Sequence, residues 1–139
     1  MEPIPCPFEK TLLGGRYGCA HATRHYVAER ENGGCDDAGA RARCVALLEL
    51  LRDNARFALR RRGTPDGALP HGLEMKVQYG GLAGLQAAVD GEVAEPERVA
   101  DIHGLIDRAV AEFGGLEALP YPRIVQWVAA YEHRKRKKR

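Results

Sequence analysis

The sequence predicts an all-α fold: a small bundle of about five helices, with a cysteine-bearing, loop-rich N-terminal segment. Apolar residues recur at three- and four-residue steps over several long stretches. Those stretches are bounded by the Asp, Gly and Pro residues that open and close helices. Period-two alternation, the signature of a half-buried strand, does not persist anywhere.

In chain order, the first expected helix runs from about Ala20 to Arg30. A longer one starts after Asp36 or Asp37, either of which can cap a helix N-terminus, and continues to about Arg62. Cys44, Leu47, Leu48, Leu51, Ala55 and Leu59 fall on one of its faces, and Gly63, Pro65 and Gly67 end it. The segment "EMKVQY", 74 to 79, reads as a short strand or a helical turn. A modest helix over Gly81 to Val89 follows it. The next begins near Pro96, with Val99, Ile102, Ile106, Ala109, Val110 and Phe113 as its apolar stripe and Gly114 and Gly115 as its close. The last starts near Pro122, and Ile124, Val125, Trp127, Val128 and Tyr131 give it a buried side. Glycine pairs at 14–15, 33–34, 80–81 and 114–115 are expected at element ends and form no true repeat.

At 139 residues and 45% apolar content, the chain suits one domain with one core. Residues 1–133 are expected to form that single helical domain. The loop "RGTPDGALPHG", 62 to 72, divides a cysteine-bearing half (1–62) from a cysteine-free half (72–133), and the two are expected to share the core. Residues 134–139 form a basic tail. Without those six cations the body carries 15 basic against 19 acidic residues, so the net charge of +2 belongs to a mildly acidic domain with a basic end. The tail lacks interleaved aromatics; contact with nucleic acid is possible through it but not favoured. No run of ~18 apolar residues predicts a membrane span. The start "MEPIPCPFEK" has neither the basic start nor the apolar region of a signal peptide. The expectation is a reducing cytoplasm, where four cysteines point to metal, catalysis or burial rather than to disulfides.

All four cysteines, Cys6, Cys19, Cys35 and Cys44, lie in the first 44 residues, separated by 12, 15 and 8 residues, and the remaining 95 contain none. This is neither a zinc ribbon, which needs C-x-x-C pairs, nor the compact run of a bacterial ferredoxin. Pro5 and Pro7 restrict the backbone around Cys6 to extended conformations, which suits a rigidly held ligand. Cys19 follows Gly18 ahead of the first expected helix. Cys35 follows Gly33 and Gly34 at the start of the second, where backbone N–H groups and the helix dipole favour thiolate. Cys44 sits two turns into that helix on its apolar face. Taken singly, Cys44 reads as a core residue; the other three sit in Gly- and Pro-rich loops where burial alone is less natural.

Four thiolates suit zinc or an iron–sulfur cluster. Widely separated single cysteines favour a [4Fe–4S] cubane, in which each iron takes its own thiolate, and zinc comes second. The sulfurs should then approach within roughly 6–7 Å of one another. Arg16, Arg24, Arg41 and Arg43 can offset the negative charge of such a centre. His21 and His25, four apart and beside Cys19, offer either a mixed Cys/His zinc site, hydrogen bonds to cluster sulfur, or a plain solvated face.

The "PCPFEK" opening with its four N-terminal cysteines resembles the iron–sulfur segment that precedes leucine-rich variant repeats in some nitrogen-fixing bacteria. The likeness spans about the first 44 residues. It implies a [4Fe–4S] cluster held by four cysteines, which here are Cys6, Cys19, Cys35 and Cys44. The repeats themselves do not occur in this chain.

No P-loop, dinucleotide fingerprint, H-E-x-x-H or Ser-His-Asp frame is present. A Cys19–His21 nucleophile pair is conceivable, but sequence neighbours need not meet usefully; the chain is not expected to be an enzyme. His71 and His103 read as loop and helix-surface residues. The expected role is electron transfer, redox sensing or service to a larger metalloenzyme, with a redox partner or metalloenzyme as the binding protein. The alternative is a zinc-stabilised interaction module.

Overall fold

The structure, a computed structural model, describes residues 4–27, 30–61 and 71–131, the side chains of 24–27, 30–31, 59–61 and 71 excepted. The fold is predominantly helical but not all-α, because the N-terminal third contains a small sheet. The elements are β1 (Ile4–Pro5), α1 (Glu9–Leu13), β2 (Ala22–Val27), β3 (Arg30–Cys35), α2 (Ala38–Arg61), α3 (His71–Asp90), α4 (Ile102–Phe113), a 3₁₀ turn (Leu116–Ala118) and α5 (Tyr121–Ala130). The loop residues 62–70 and the basic tail lie outside the described residues.

The expected helix over 20–30 is instead β2 and the start of β3. The run Thr23, Tyr26, Val27 suits a pleated, half-buried surface better than a helix. The sheet is antiparallel in the order β1-β3-β2. Ala22 stands opposite Cys35 and Val27 opposite Arg30, while β1 pairs Ile4 with Cys35 and Pro5 with Gly34. A proline is tolerated in β1 because it is an edge strand. Gly33, in the central strand, lets α1 pack close: the Glu9 carboxylate accepts the Gly33 N–H at 2.8 Å, and a Cβ on Gly33 would come within 3.2 Å of Glu9 Cγ.

The glycine pairs do not all mark element ends, and Gly33–Gly34 lies inside β3. Gly14–Gly15 follows α1, and Gly114 closes α4 in the left-handed conformation at φ 98°. Gly80–Gly81 ends nothing: α3 runs through it, so "EMKVQY" is helix throughout. A Cβ on Gly80 would lie 2.7 Å from Val128 Cα, one on Gly84 3.0 Å from the Ile124 carbonyl oxygen, and one on Gly81 2.8 Å from a Leu51 methyl. These residues lack side chains because α5 and α2 press on both sides of α3.

α4 starts six residues later than the Pro96 signal suggests. Pro96 lies in a turn closed by the Arg98 N–H on the Glu95 carbonyl, and Val99 extends to form a parallel bridge with Tyr17. Asp101 is the extended residue before the helix, and Ile102, Leu105, Ile106 and Ala109 form its buried stripe. In α2 the stripe Cys44, Leu47, Leu48, Leu51 and Ala55 is buried. In α5 the buried side is Tyr121, Ile124 and Val128, with Val125 and Trp127 only half-buried. One apolar cluster joins Leu47 and Leu51 to Leu82, Leu105 and Ile124, and so draws on the chain before and after 62–70. Among the described residues no helix is long and apolar enough to cross a membrane.

Candidate metal centre

Cys6, Cys19, Cys35 and Cys44 line a single cleft, together with His21, Arg41, Ile102 and His103. The sheet register explains how such irregular spacing converges. Cys35 ends the central strand, with Ile4 on one side and Ala22 on the other. Cys6 is two residues past Ile4, and Cys19 is three residues before Ala22. Antiparallel pairing thus sets Cys6 opposite Gly33, two residues inside the end that Cys35 marks, and leaves Cys19 just beyond that end. α2 departs from that end three residues after Cys35 and brings Cys44 in from its buried face.

Each cysteine is held by its backbone. The Cys6 N–H donates to the Gly33 carbonyl at 3.2 Å, and its own carbonyl accepts the Glu9 N–H at 3.0 Å. The Cys19 loop is fastened to the segment before α4: Gly18 N–H to Val99 carbonyl (2.9 Å), Ile102 N–H to Gly18 carbonyl (2.7 Å) and Ala20 N–H to Asp101 Oδ1 (2.7 Å). Cys35 is buried, and its Sγ donates to the Asp37 carbonyl at 3.3 Å. The sulfur thus meets a carbonyl rather than the helix N–H groups that the sequence suggested it would face. Cys6 and Cys19 are half-buried; Cys35 and Cys44 are buried.

Burial pushes the Cys6 thiol up to about 11 and the Cys44 thiol up to about 12, and it raises Cys19 as well. Mutual repulsion adds to this: negative charge on any of the other three sulfurs opposes ionisation of Cys44, and charge on Cys19 and Cys35 opposes that of Cys6. Left alone, Cys6, Cys19 and Cys44 favour the protonated form. A bound cation reverses that preference, because it supplies the charge that burial denies them. Opposing groups are already in place. The backbone amide of Phe8 favours charge on Cys6, and those of His21 and His103 favour it on Cys19, each against the larger effect of burial. Backbone amides act in the same sense around iron–sulfur centres.

Two of the four arginines named from the sequence are beside the site. Arg41 lines the cleft and donates from Nε to the Pro5 carbonyl at 2.6 Å. Arg43 adds a positive charge felt by Cys44. Arg16 instead faces a separate cleft with Glu97 and Trp127, and the Arg24 side chain lies outside the described residues. His21 lines the cleft with Nδ1 2.7 Å from Asp36 Oδ1. His25 stands opposite Asn32 in β2, so the helical i, i+4 pairing with His21 does not exist; the His25 side chain lies outside the described residues.

His103, read from the sequence as a helix-surface residue, is a wall of the cleft. Its ring meets that of His21 edge to face, with centroids 4.5 Å apart. Its Nδ1 lies 3.3 Å from Arg43 Nη2 and its Nε2 3.3 Å from Asp107 Oδ2. Arginine can only donate, so Nδ1 is the acceptor and the proton sits on Nε2, toward the carboxylate. No linear motif ties residue 103 to Cys19; the backbone pairing of 16–18 with 99–102 and the Ala20–Asp101 contact bring them together.

Among the described residues no three His, Cys, Asp or Glu side chains form a ready single-ion site. The thiols instead surround a gap with room for about one water molecule. Zinc draws thiolates to about 2.3 Å and leaves no such gap between them. A cubane interposes an iron on each thiolate and keeps the sulfurs farther apart. The four-thiol donor set suits either a cluster or zinc, and the room between the side chains, about that of one water, is less than a four-iron cube fills.

No known protein family, curated protein or solved structure matches the chain.

Proposed function

We propose that this chain is a small iron–sulfur protein that binds a [4Fe–4S] cluster through Cys6, Cys19, Cys35 and Cys44. Its work is electron transfer, redox sensing or service to a larger metalloenzyme, and it is a carrier rather than a catalyst. The carrying observation is that four thiols from four separate parts of the chain line one cleft. Backbone amides that favour charge on Cys6 and Cys19, and the Arg43 charge that favours it on Cys44, support the reading. So does the likeness of the first 44 residues to an iron–sulfur segment. When bound, the cluster supplies reversible one-electron chemistry. The protein's own residues fix the sulfurs, bury Cys35 and Cys44, and leave Cys6 and Cys19 nearer solvent as the side closest to a redox partner or metalloenzyme. A reducing, cytoplasmic setting goes with this proposal, since the thiols must stay unpaired.

A second reading is a zinc-stabilised interaction module, its basic tail available to nucleic acid. It draws on His21, whose Nδ1–Asp36 contact at 2.7 Å is the carboxylate–histidine arrangement common behind metal-binding imidazole. Anaerobic purification separates the two. The cluster predicts brown protein, broad absorption near ~400 nm and about four irons with matching sulfide per chain. Colourless protein containing zinc would establish the second reading, and colourless metal-free protein with full helical signal would end both.

A further inference from the structure

We propose that two clefts meeting at Trp127 form a docking site for the chain's own basic tail, residues 134–139. The proposal is independent of what the cysteines hold.

The first cleft, of about 390 Å³, is bordered by Arg16, Glu95, Glu97 and Arg98. The second, of about 650 Å³, lies along α3 and the segment after it, and includes Glu92 and Val93. Both volumes fall in the range of ligand-binding clefts. Pro96 and Trp127 line both, so the indole is a wall of each. That wall is fixed from α3. Gln86 Nε2 donates to the carbonyls of Pro96 at 3.3 Å and Arg98 at 3.1 Å. A Cβ on Gly84 would come within 3.0 Å of Trp127 Cβ, so only glycine lets α5 lie this close.

Charge and chain direction select the occupant. Residues 90–97 contain four carboxylates and no cation, whereas 134–139 are six cations in a row. Asp90 pairs with Arg108, and Glu95 with Arg98. Glu97 in the first cleft and Glu92 in the second make no ion pair among the described residues. An indole face between them attracts Lys and Arg in its own right. Arg16 is the opposing charge. α5 ends three residues past Trp127. The Tyr131 ring then stacks on Tyr79 at 5.3 Å, and Tyr79 meets Tyr17, the neighbour of Arg16, at 5.2 Å. The chain beyond Tyr131 therefore sets out beside the first cleft. Residues 132–139 can span at most about 26–29 Å. So short a tether gives an effective concentration of about millimolar, enough to fill a site built from weak contacts.

Trp127 is the sole tryptophan, so its fluorescence reports on these clefts alone. The test is acrylamide quenching of the full-length protein at two salt concentrations, with helical circular dichroism on each sample. Charges reach about 10 Å at about 0.1 M salt and about 3 Å at about 1 M. Wild-type quenching is expected to rise about twofold between them as the tail leaves the indole. Lys135→Gln, Arg136→Gln and Lys137→Gln together should show the high-salt value already at low salt. So should Glu92→Gln with Glu97→Gln, which leaves the tail intact. Arg16→Gln removes the opposing charge and should hold the tail in place to higher salt. Wild-type quenching that salt does not move overturns the proposal, as do low-salt values in both multiple variants equal to wild type. Protection of the indole that grows with protein concentration would place the tail on a second copy and overturn docking within one chain.

Discussion

The carbonyl oxygen of Ala100 lies 2.8 Å from where a side chain on Gly18 would place its Cβ. The Cys19 loop and the segment leading into α4 are that close because backbone hydrogen bonds join them directly. Gly18→Ala should therefore force the loop away and disturb Cys19. Overpacking of this kind costs about 1–3 kcal/mol. The expected result is a lower urea midpoint together with reduced iron content. Wild-type iron in Gly18→Ala would show that the loop can shift without moving the sulfur.

Cys44 separates metal binding from packing. It is buried in the apolar cluster, where a free cysteine behaves as a small hydrophobe. Cys44→Ala should leave the metal-free protein folded, with a stability change of about 1 kcal/mol, while iron content falls sharply. Circular dichroism and iron analysis on the same sample check both halves. Cys6→Ala, Cys19→Ala and Cys35→Ala should lose iron as well.

The thiols also predict a pH dependence of the metal-free protein. Cys6 and Cys44 are raised from 9.0 to about 11 and about 12, chiefly by burial. Between the unfolded and folded values, the folded state binds more protons than the unfolded state, so stability falls as pH rises. It should be flat below about pH 9 on this account and decline from about 9 toward 12. Urea midpoints across that range, for wild type and Cys44→Ala, check it: the variant should decline less steeply. Metal binding carries the opposite sign, since it releases thiol protons and strengthens as pH rises.

Gly80 offers a control remote from the cleft. A Cβ there would meet backbone of α5 on two sides, Val128 Cα at 2.7 Å and the Trp127 carbonyl at 2.8 Å. Gly80→Ala should lower stability by about 1–3 kcal/mol or more through separation of α3 from α5. Iron per folded molecule should stay near wild type, as measured by iron analysis after removal of unfolded protein. A selective loss of iron would mean that α3–α5 packing reaches the site.

The helices of the second half were largely legible because each is amphipathic on its own. The stripe Ile102, Ile106, Ala109 and the left-handed Gly114 can be read locally. The sheet was not, since "RENGGC" has little intrinsic strand preference and is held by its neighbours and by Glu9. Gly80–Gly81 misled for a physical reason: a missing side chain can mark a turn or a close helix contact, and sequence alone does not distinguish them. The four cysteines were visible as candidates, but their convergence depends on register, which pairs Cys35 with Ile4 and Ala22. His103 became a neighbour of the site only through long-range packing.

The dependence of the Cys19 loop on residues 99–102 has a temporal consequence. During synthesis every sulfur leaves the ribosome well before the segment that fastens Cys19. A nascent chain that ends ahead of Ile102 holds all four thiols yet lacks one wall of their pocket. On the cluster reading, cofactor insertion then waits until most of the polypeptide has emerged, and early thiols need shielding from oxidation in the meantime.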